Sequence, residues 1–213
     1  MEKIRLALAK GRLAKHSIKL LEDIGVDCRT LKEDSRKLIF PLPQYNLEVI
    51  LLKAVDVPTY VEHGAVDMGI SGKDVLLEQD RQLYEVVDLK FGRCKFAVAG
   101  KPLMGNGKKH LRVATKYPNV TRKYFAEKGQ SVEIIRQEGS VELAPLMGLS
   151  DIIVDIVETG KTLKENGLVV LEDIEDISAR LVLNKVSYKT KKKEINNLVD
   201  LIEKKVGSRS DGE

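Results

Sequence analysis

The run Asp151-Ile152-Ile153-Val154-Asp155-Ile156-Val157-Glu158-Thr159-Gly160-Lys161-Thr162-Leu163 constrains the fold more than any other part of the chain. Its first half is short, apolar and β-branched, the composition of a strand buried on both faces, here Ile152 to Ile156, and Asp155 sits near the carboxyl end. Its second half supplies a glycine, two threonine hydroxyls and a lysine. Leu163-Lys164-Glu165-Asn166 then reads as a helix closed by Gly167. A strand that ends in such a loop turns backbone N–H groups and the start of a helix toward one point, the arrangement that receives a phosphate. On this reading Glu158 to Thr162 is a phosphate cradle. A plainer reading stands beside it, in which the threonines cap the helix and Asp155 is a solvated strand end.

Gly160-Lys161-Thr162 resembles the end of a nucleoside-triphosphatase loop, but that motif requires a glycine where Asp155 stands. An acid there suits a sugar, because a carboxylate accepts hydrogen bonds from two neighbouring hydroxyls. Ribose beside phosphate implies a phosphorylated sugar as ligand.

The same strand-turn-helix grammar recurs along the chain. Ile4 to Ala9 reads as a strand running into Lys10-Gly11-Arg12 and a helix from about Leu13 to Ile24, closed by Gly25. A strand is expected at Leu38 to Phe40, ended by Pro41 and Pro43, and another at Leu47 to Leu52. A helix should start at Asp56-Val57-Pro58. The strand Val66 to Ile70 feeds a turn at Ser71-Gly72-Lys73. Strands at Leu83 to Leu89 and Phe96 to Ala99 flank Gly92, and Gly100 to Gly107 is a loop. A β-α-β-α-β unit follows, with Leu111 to Thr115, Pro118 to Lys128, Val132 to Ile135, Val141 to Met147 and Ile152 to Ile156. Leu168 to Leu171 and Ala179 to Leu183 read as strands. A long helix is expected from about Thr190 to Val206, with a frayed end beyond Gly207. No sequence repeat is visible.

Alternating strands and helices indicate an α/β fold with mostly parallel sheets. The second unit is too short to take up the remainder, so the chain is expected to form two α/β lobes with a cleft between them. Residues 1–90 plus 174–213 form the first, and 91–173 form the second, which carries the phosphate loop. In open α/β sheets ligands lie at the carboxyl ends of strands, where Lys10-Gly11-Arg12, Ser71-Gly72-Lys73 and Glu158 to Thr162 all fall, and these are expected to converge.

Composition narrows the function classes. Aromatic residues make up 5% of the 213 residues and tryptophan is absent, which argues against a stacking surface for single-stranded nucleic acid. A formal charge of +4 suits a small anionic substrate. Cys28 and Cys94 have no metal or redox spacing, and His16, His63 and His110 lie in separate segments, so no metal held by protein alone is expected. The apolar run after Met1-Glu2-Lys3 is too short for a signal segment or a membrane span, so a cytoplasmic location is expected.

A family resemblance joins these features. From Glu142 through Gly148, Ser150, Ile153, Asp155, Ile156, Thr159, Gly160 and Thr162 to Leu163 the spacing resembles the signature of the ATP phosphoribosyltransferases in their short form. Lys10-Gly11-Arg12, Ser35-Arg36-Lys37-Leu38, Asp56-Val57-Pro58-Thr59-Tyr60 and Ala114-Thr115-Lys116 with Asn119-Val120 resemble further family segments, so the likeness runs end to end. It implies a fold like type II periplasmic binding proteins. It also implies a reaction in which N1 of the ATP adenine displaces pyrophosphate from C1 of phosphoribosyl pyrophosphate, with Mg²⁺ as cofactor.

Carried over residue by residue, the resemblance implies that Glu158, Thr159, Gly160, Lys161, Thr162 and Leu163 hold the 5-phosphate and that Asp155 takes the ribose hydroxyls. Gly139, Ser140 and Glu142 stand near the substrates, and Ser71 and Gly72 are further contacts. Lys10, Arg12 and Arg36 are the candidate catalytic cations, with Arg36 a candidate to act across a dimer. The likeness further implies a homodimer joined into a hetero-octamer by a regulatory subunit similar to the histidyl-tRNA synthetase core, with AMP competing at the site. The rival class is a two-lobed solute-binding protein for a small anion, which would bind without turnover.

Overall fold

The structure is a computed structural model that describes residues 2–33, 36–102 and 110–210. Ser35, most of the expected Gly100 to Gly107 loop and the last three residues lie outside the described residues. The chain divides into two compact units. Unit 1 is Met1–Leu76, Asp80–Gly92 and Ser178–Glu213, and unit 2 is Leu77–Gln79 with Arg93–Ile177.

In unit 1, β1 (Ile4–Ala9) lies parallel between β3 (Leu47–Leu52) and β4 (Met68–Gly72). The sheet is completed by β2 (Ile39–Leu42), β5 (Tyr84–Asp88) and β11 (Ala179–Leu183), all antiparallel to their neighbours, in the order β2-β3-β1-β4-β11-β5. The alternation of β1 divides the core. Leu6 and Leu8 pack with Leu20 and Leu21 of α1 (Arg12–Asp23) and with Ile195 and Ile202 of α9 (Lys192–Ser210). Ala7 and Ala9 face the other way, toward Val57 and Val61 of α3 (Val57–Glu62). The small residues on that face let α3 come close. A Cβ on Gly69 would stand 2.8 Å from Val57 Cγ1 and 2.9 Å from Val61 Cγ2, so a side chain there would push the helix off the sheet.

Unit 2 repeats the plan. β7 (Leu111–Thr115) lies parallel between β8 (Val132–Arg136) and β9 (Ile152–Val157). β6 (Cys94–Gly100) and β10 (Val169–Ile177) extend the sheet antiparallel in the order β10-β6-β9-β7-β8. Read from β3 to β5 and from β8 to β10, the two sheets have the same order and the same directions. Even the strand entries match. Asp67, before β4, exchanges backbone and carboxylate hydrogen bonds with Arg5, at 3.0 and 2.8 Å, and Asp151, before β9, does the same with Arg112, at 2.9 Å in both bonds. The repeat lies in topology; no sequence repeat announces it.

Several expectations change. The sheets are mixed, not mostly parallel: among the described residues four strand pairs are parallel and five antiparallel. Apolar periodicity locates a strand but does not carry its direction. Pro41 lies inside β2 and does not end it, because β2 is an edge strand and its register opposite Glu48 turns the proline nitrogen away from β3. Ser71 and Gly72 belong to β4, paired with Arg180 and Ala179, not to an open turn. β10 continues through Glu172, Asp173, Glu175 and Asp176 to Ile177, past the strand expected to end at Leu171, and its exposed acids with two register shifts are what a sheet edge tolerates.

The carboxyl-terminal region is two helices. α8 (Lys185–Thr190) is capped by Asn184, whose side-chain oxygen accepts from the amides of Val186 and Ser187 at 2.9 and 2.8 Å. Its side-chain nitrogen donates to the carbonyls of Val61 and Glu62 and so closes α3 as well. Lys191, between the two helices, donates to Asp67 at 3.0 Å and to the Lys3 carbonyl at 2.9 Å, which ties this junction to the start of the sheet. α9 runs on to Ser210 instead of fraying at Gly207.

Candidate active site

Ile153, Asp155 and Val157 share one face of β9, since side chains alternate along a strand. Ile153 and Val157 are sealed there against Val141, Ala144, Leu163 and Leu168. Asp155 is the polar member of that row; it is half-buried, and its Oδ1 accepts the amide of Ile156 at 2.8 Å. The chain then leaves the sheet through exposed Glu158 and Thr159. Gly160 takes φ 71° and ψ 5°, a left-handed conformation that side chains disfavour. A Cβ there would meet nothing closer than Val157 Cγ1 at 3.9 Å, so the backbone angle, not space, calls for glycine.

α7 (Lys161–Glu165) follows, anchored by buried Leu163, whose carbonyl accepts the Leu168 amide at 2.9 Å. Thr159 Oγ1 receives the Lys161 amide only at 3.4 Å. The amides of Thr159, Gly160 and Thr162 have no acceptor among the described residues. Because α7 is little more than one turn long, an anion held at this loop would rest on these amides and hydroxyls and owe little to a helix macrodipole.

The turn at Gly139 to Glu142 reaches the same part of unit 2. Buried Val141 lies in one cluster with Ile153, Val157 and Leu163, which ties this turn to the end of β9. Ser140 takes φ 49°, a conformation that a residue other than glycine holds only when its surroundings require it. Its carbonyl accepts the amide of Leu143, the first residue of α6 (Leu143–Leu146), at 3.1 Å. The helix therefore begins later and ends sooner than the expected Val141 to Met147, and Ser140 and Glu142 stand on a strained turn in front of it.

In unit 1, Gly11 has φ 92° and ψ −143°, a region open essentially to glycine alone, and the Lys10 amide is tied to the Leu52 carbonyl at 2.8 Å. Lys10, Gly11 and Arg36 line one groove of about 560 Å³. Arg12 is exposed at the first position of α1, beside that groove and not among its lining residues. Lys15, Lys32 and Lys37 also line it; Lys37 falls within a family-like segment, but none of the three is among the candidate site residues. For Lys15 the signal was in the sequence: Gly11, Ala14, Lys15 and Ile18 lie three and four apart, on one face of a helix.

Ser71 is fully buried, and its hydroxyl makes only a 3.4 Å contact with the Gly72 carbonyl. The Lys73 amide, at the start of α4 (Lys73–Gln79), is already bonded to the Ser178 carbonyl at 3.0 Å. A network seals this place. Ser178 Oγ donates to Asp88 at 2.6 Å, Lys90 bonds the same carboxylate, Arg180 lies 3.4 Å from it, and Lys73 pairs with Glu85 at 2.7 Å. Burial alone would raise the Asp88 pKa, but the Ser178 hydroxyl and the Lys90 amide and ammonium outweigh it, with Arg180 adding to them, and hold it at about 2. No group of three or more His, Cys, Asp or Glu placed to hold a metal occurs among the described residues, and no described helix is long and apolar enough to cross a membrane.

Comparison with known proteins gives the family. Residues 53–204 match the family model described as HisG: ATP phosphoribosyltransferase. An ATP phosphoribosyltransferase of Alkaliphilus metalliredigens is 67% identical over 208 residues, 97% of this chain and 100% of that protein. One from Bacillus cereus strain G9842 is 55% identical over 207 residues, 97% and 98% of the two chains. Among solved structures, an ATP phosphoribosyl transferase (HisG:HisZ) complex from Thermotoga maritima matches with a TM-score of 0.84 at 37% identity, over 96% of this chain and 99% of that one. Its likeness supports a mixed α/β fold of the type II periplasmic-binding-protein-like kind. By sequence along nearly its whole length, and by fold, the chain belongs to the ATP phosphoribosyltransferase family.

Proposed function

We propose that the chain joins N1 of the ATP adenine to C1 of phosphoribosyl pyrophosphate and releases pyrophosphate, the first step of histidine biosynthesis. The observation that carries this reading is the open loop after β9, with Asp155 at its entry and unbonded amides at Thr159, Gly160 and Thr162, in a chain of this family. The loop from Glu158 to Leu163 grips the 5-phosphate, Lys161 adds charge, and Asp155 accepts from the ribose hydroxyls. Gly139, Ser140 and Glu142 flank that ligand. Ser71 and Gly72 are buried in β4 and paired with β11, so their part is to hold the start of α4 in place and not to contact the ligand directly.

As the C1–O bond breaks, the sugar becomes cationic and the pyrophosphate leaves with the electron pair. Lys10, Arg12 and Arg36 are fixed cations for that growing negative charge, which is where stabilisation accelerates the step. N1 brings its own lone pair, so no strong general base is required. We assign Mg²⁺ as the metal. Magnesium binds hard oxygen donors and usually reaches a site on substrate phosphates with one or two carboxylates, and Asp155 and Glu158 are the carboxylates of the loop. When bound, it would neutralise charge on the pyrophosphate oxygens.

The related Thermotoga maritima structure is a HisG:HisZ complex, which supports a HisZ-like partner subunit for this chain; a homodimer assembled with that subunit, in a regulatory role, into a hetero-octamer is part of the same proposal. AMP is proposed to compete at the active site, and a cytoplasmic location follows from these substrates. Curated relatives named as transferases favour this over the solute-binding alternative. The test is pyrophosphate release by the purified chain, with and without its partner. Release should require ATP, phosphoribosyl pyrophosphate and Mg²⁺ together. Tight ligand binding with no turnover in either form would refute the reading.

A further inference from the structure

The groove of unit 1 holds more space and more positive charge than a departing pyrophosphate needs. Its volume of about 560 Å³ is of the order that accommodates a ligand of nucleotide size. Among the described residues its lining carries Lys10, Lys15, Lys32, Arg36 and Lys37 and no carboxylate, together with the apolar residues Ala14, Ile18, Leu31, Leu38 and Leu51. Lys32 is partly neutralised by Glu22 at 2.6 Å. Lys15 is exposed on the groove face of α1 with no ion pair among the described residues. A single cationic turn would serve one polyphosphate. The reaction brings two polyphosphates together, which repel unless cations lie along both.

We propose that the groove also takes the phosphate tail of the purine nucleoside triphosphate, and that Lys15 is a specificity-determining residue for the length of that tail. This rests on the reading of the chain as an ATP phosphoribosyltransferase. Lys10 and Arg36 then serve the pyrophosphate end of the groove, while Lys15, one helical turn further along α1, meets the nucleotide's outer phosphates by charge-assisted hydrogen bonds. Buried Ile18 and Leu31 lower the local polarity beside the phosphates and strengthen those bonds.

The test is steady-state pyrophosphate release by the full chain with its partner subunit, comparing wild type with Lys15→Gln, Lys15→Arg and Lys19→Gln. Lys19 is exposed on α1 and does not line the groove. Lys15→Gln should raise KM for ATP roughly five- to tenfold and leave kcat and KM for phosphoribosyl pyrophosphate within about twofold. Lys15→Arg should restore most of the loss, and Lys19→Gln should behave as wild type. Inorganic tripolyphosphate should compete with ATP, and more weakly in Lys15→Gln. An unchanged KM for ATP, or an equal rise for both substrates, would overturn the proposal. Absence of turnover in the wild type would instead overturn the enzyme reading. In that case titration with tripolyphosphate decides the groove alone: binding weakened by Lys15→Gln supports it, and binding unaffected by that change rejects it.

Discussion

After β9 in unit 2 the chain turns through left-handed Gly160 with loop amides that have no acceptor among the described residues, whereas after β4, the same place in the strand order of unit 1, Ser71 and Gly72 are buried and the Lys73 amide is bonded to Ser178. The turns after β1 and β7 are reversed in this respect. Lys10-Gly11-Arg12 stands exposed after β1, while after β7 Tyr117 is buried with its ring edge-on to Phe96, and its amide is taken by Thr115 Oγ1 at 2.9 Å. Each unit therefore leaves open a turn that the other fills. A shared topology offers the same strand ends in both units, and side-chain burial decides which of them can receive a ligand.

This contrast can be broken by substitution. The largest effect is expected at the open cationic turn, where Arg12→Ala should lower kcat by about 10²–10³ and leave KM for phosphoribosyl pyrophosphate nearly unchanged. A fall in affinity with kcat preserved would move Arg12 from chemistry to binding. At the open loop of unit 2, Gly160→Ala should cost about 1–2 kcal/mol, because φ 71° is retained only under strain, and should raise KM for phosphoribosyl pyrophosphate as the amides turn. Thermal melting with kinetics separates the two consequences.

At the sealed turn of unit 1 the expected effects are structural. With Asp88 held at about 2 against an ordinary 3.8, the folded state favours the carboxylate; this contribution is fully present above about pH 4 and is lost as pH falls through 3.8 toward 2. Its size is roughly 1–2 kcal/mol after allowance for partial exposure. Asp88→Asn should therefore lower Tm at neutral pH and flatten acid unfolding in that window; an unchanged acid transition would remove Asp88 from the network's account. Ser71→Ala should have the smallest effect, less than about threefold on either KM, since a buried hydroxyl with one long contact has little to lose. A larger effect would show that this turn opens to substrate.

Much of this arrangement was legible in the residues, and the failures have physical causes. β1, β3 and β7 were read to the residue because each is a short apolar run bounded by glycine, proline or charge. β10 was read short because acids are poor strand formers, and only its place at a sheet edge makes them acceptable there. α8 was missed because its signal is one residue, Asn184, whose value as a cap depends on two helices meeting at it. Ser71 looked like part of an open turn because a small polar residue beside glycine reads that way until β11 returns from far along the chain to pair with it. Asp155 and the loop after it stand out because the same few residues carry both the strand end and the side chains proposed for the chemistry. The groove around Lys10 and Arg36 was less visible, since it is assembled from segments distant in sequence.

Binding of ribose 5-phosphate, which has the sugar and 5-phosphate but no pyrophosphate, tests most directly the division of labour between the loop and the cations. Measured by competition with phosphoribosyl pyrophosphate, Asp155→Ala should weaken it by about tenfold or more, through loss of charged hydrogen bonds, while Arg12→Ala leaves it as in wild type. Equal loss in both variants, or no loss with Asp155→Ala, would contradict the assignment of the sugar phosphate to the loop after β9.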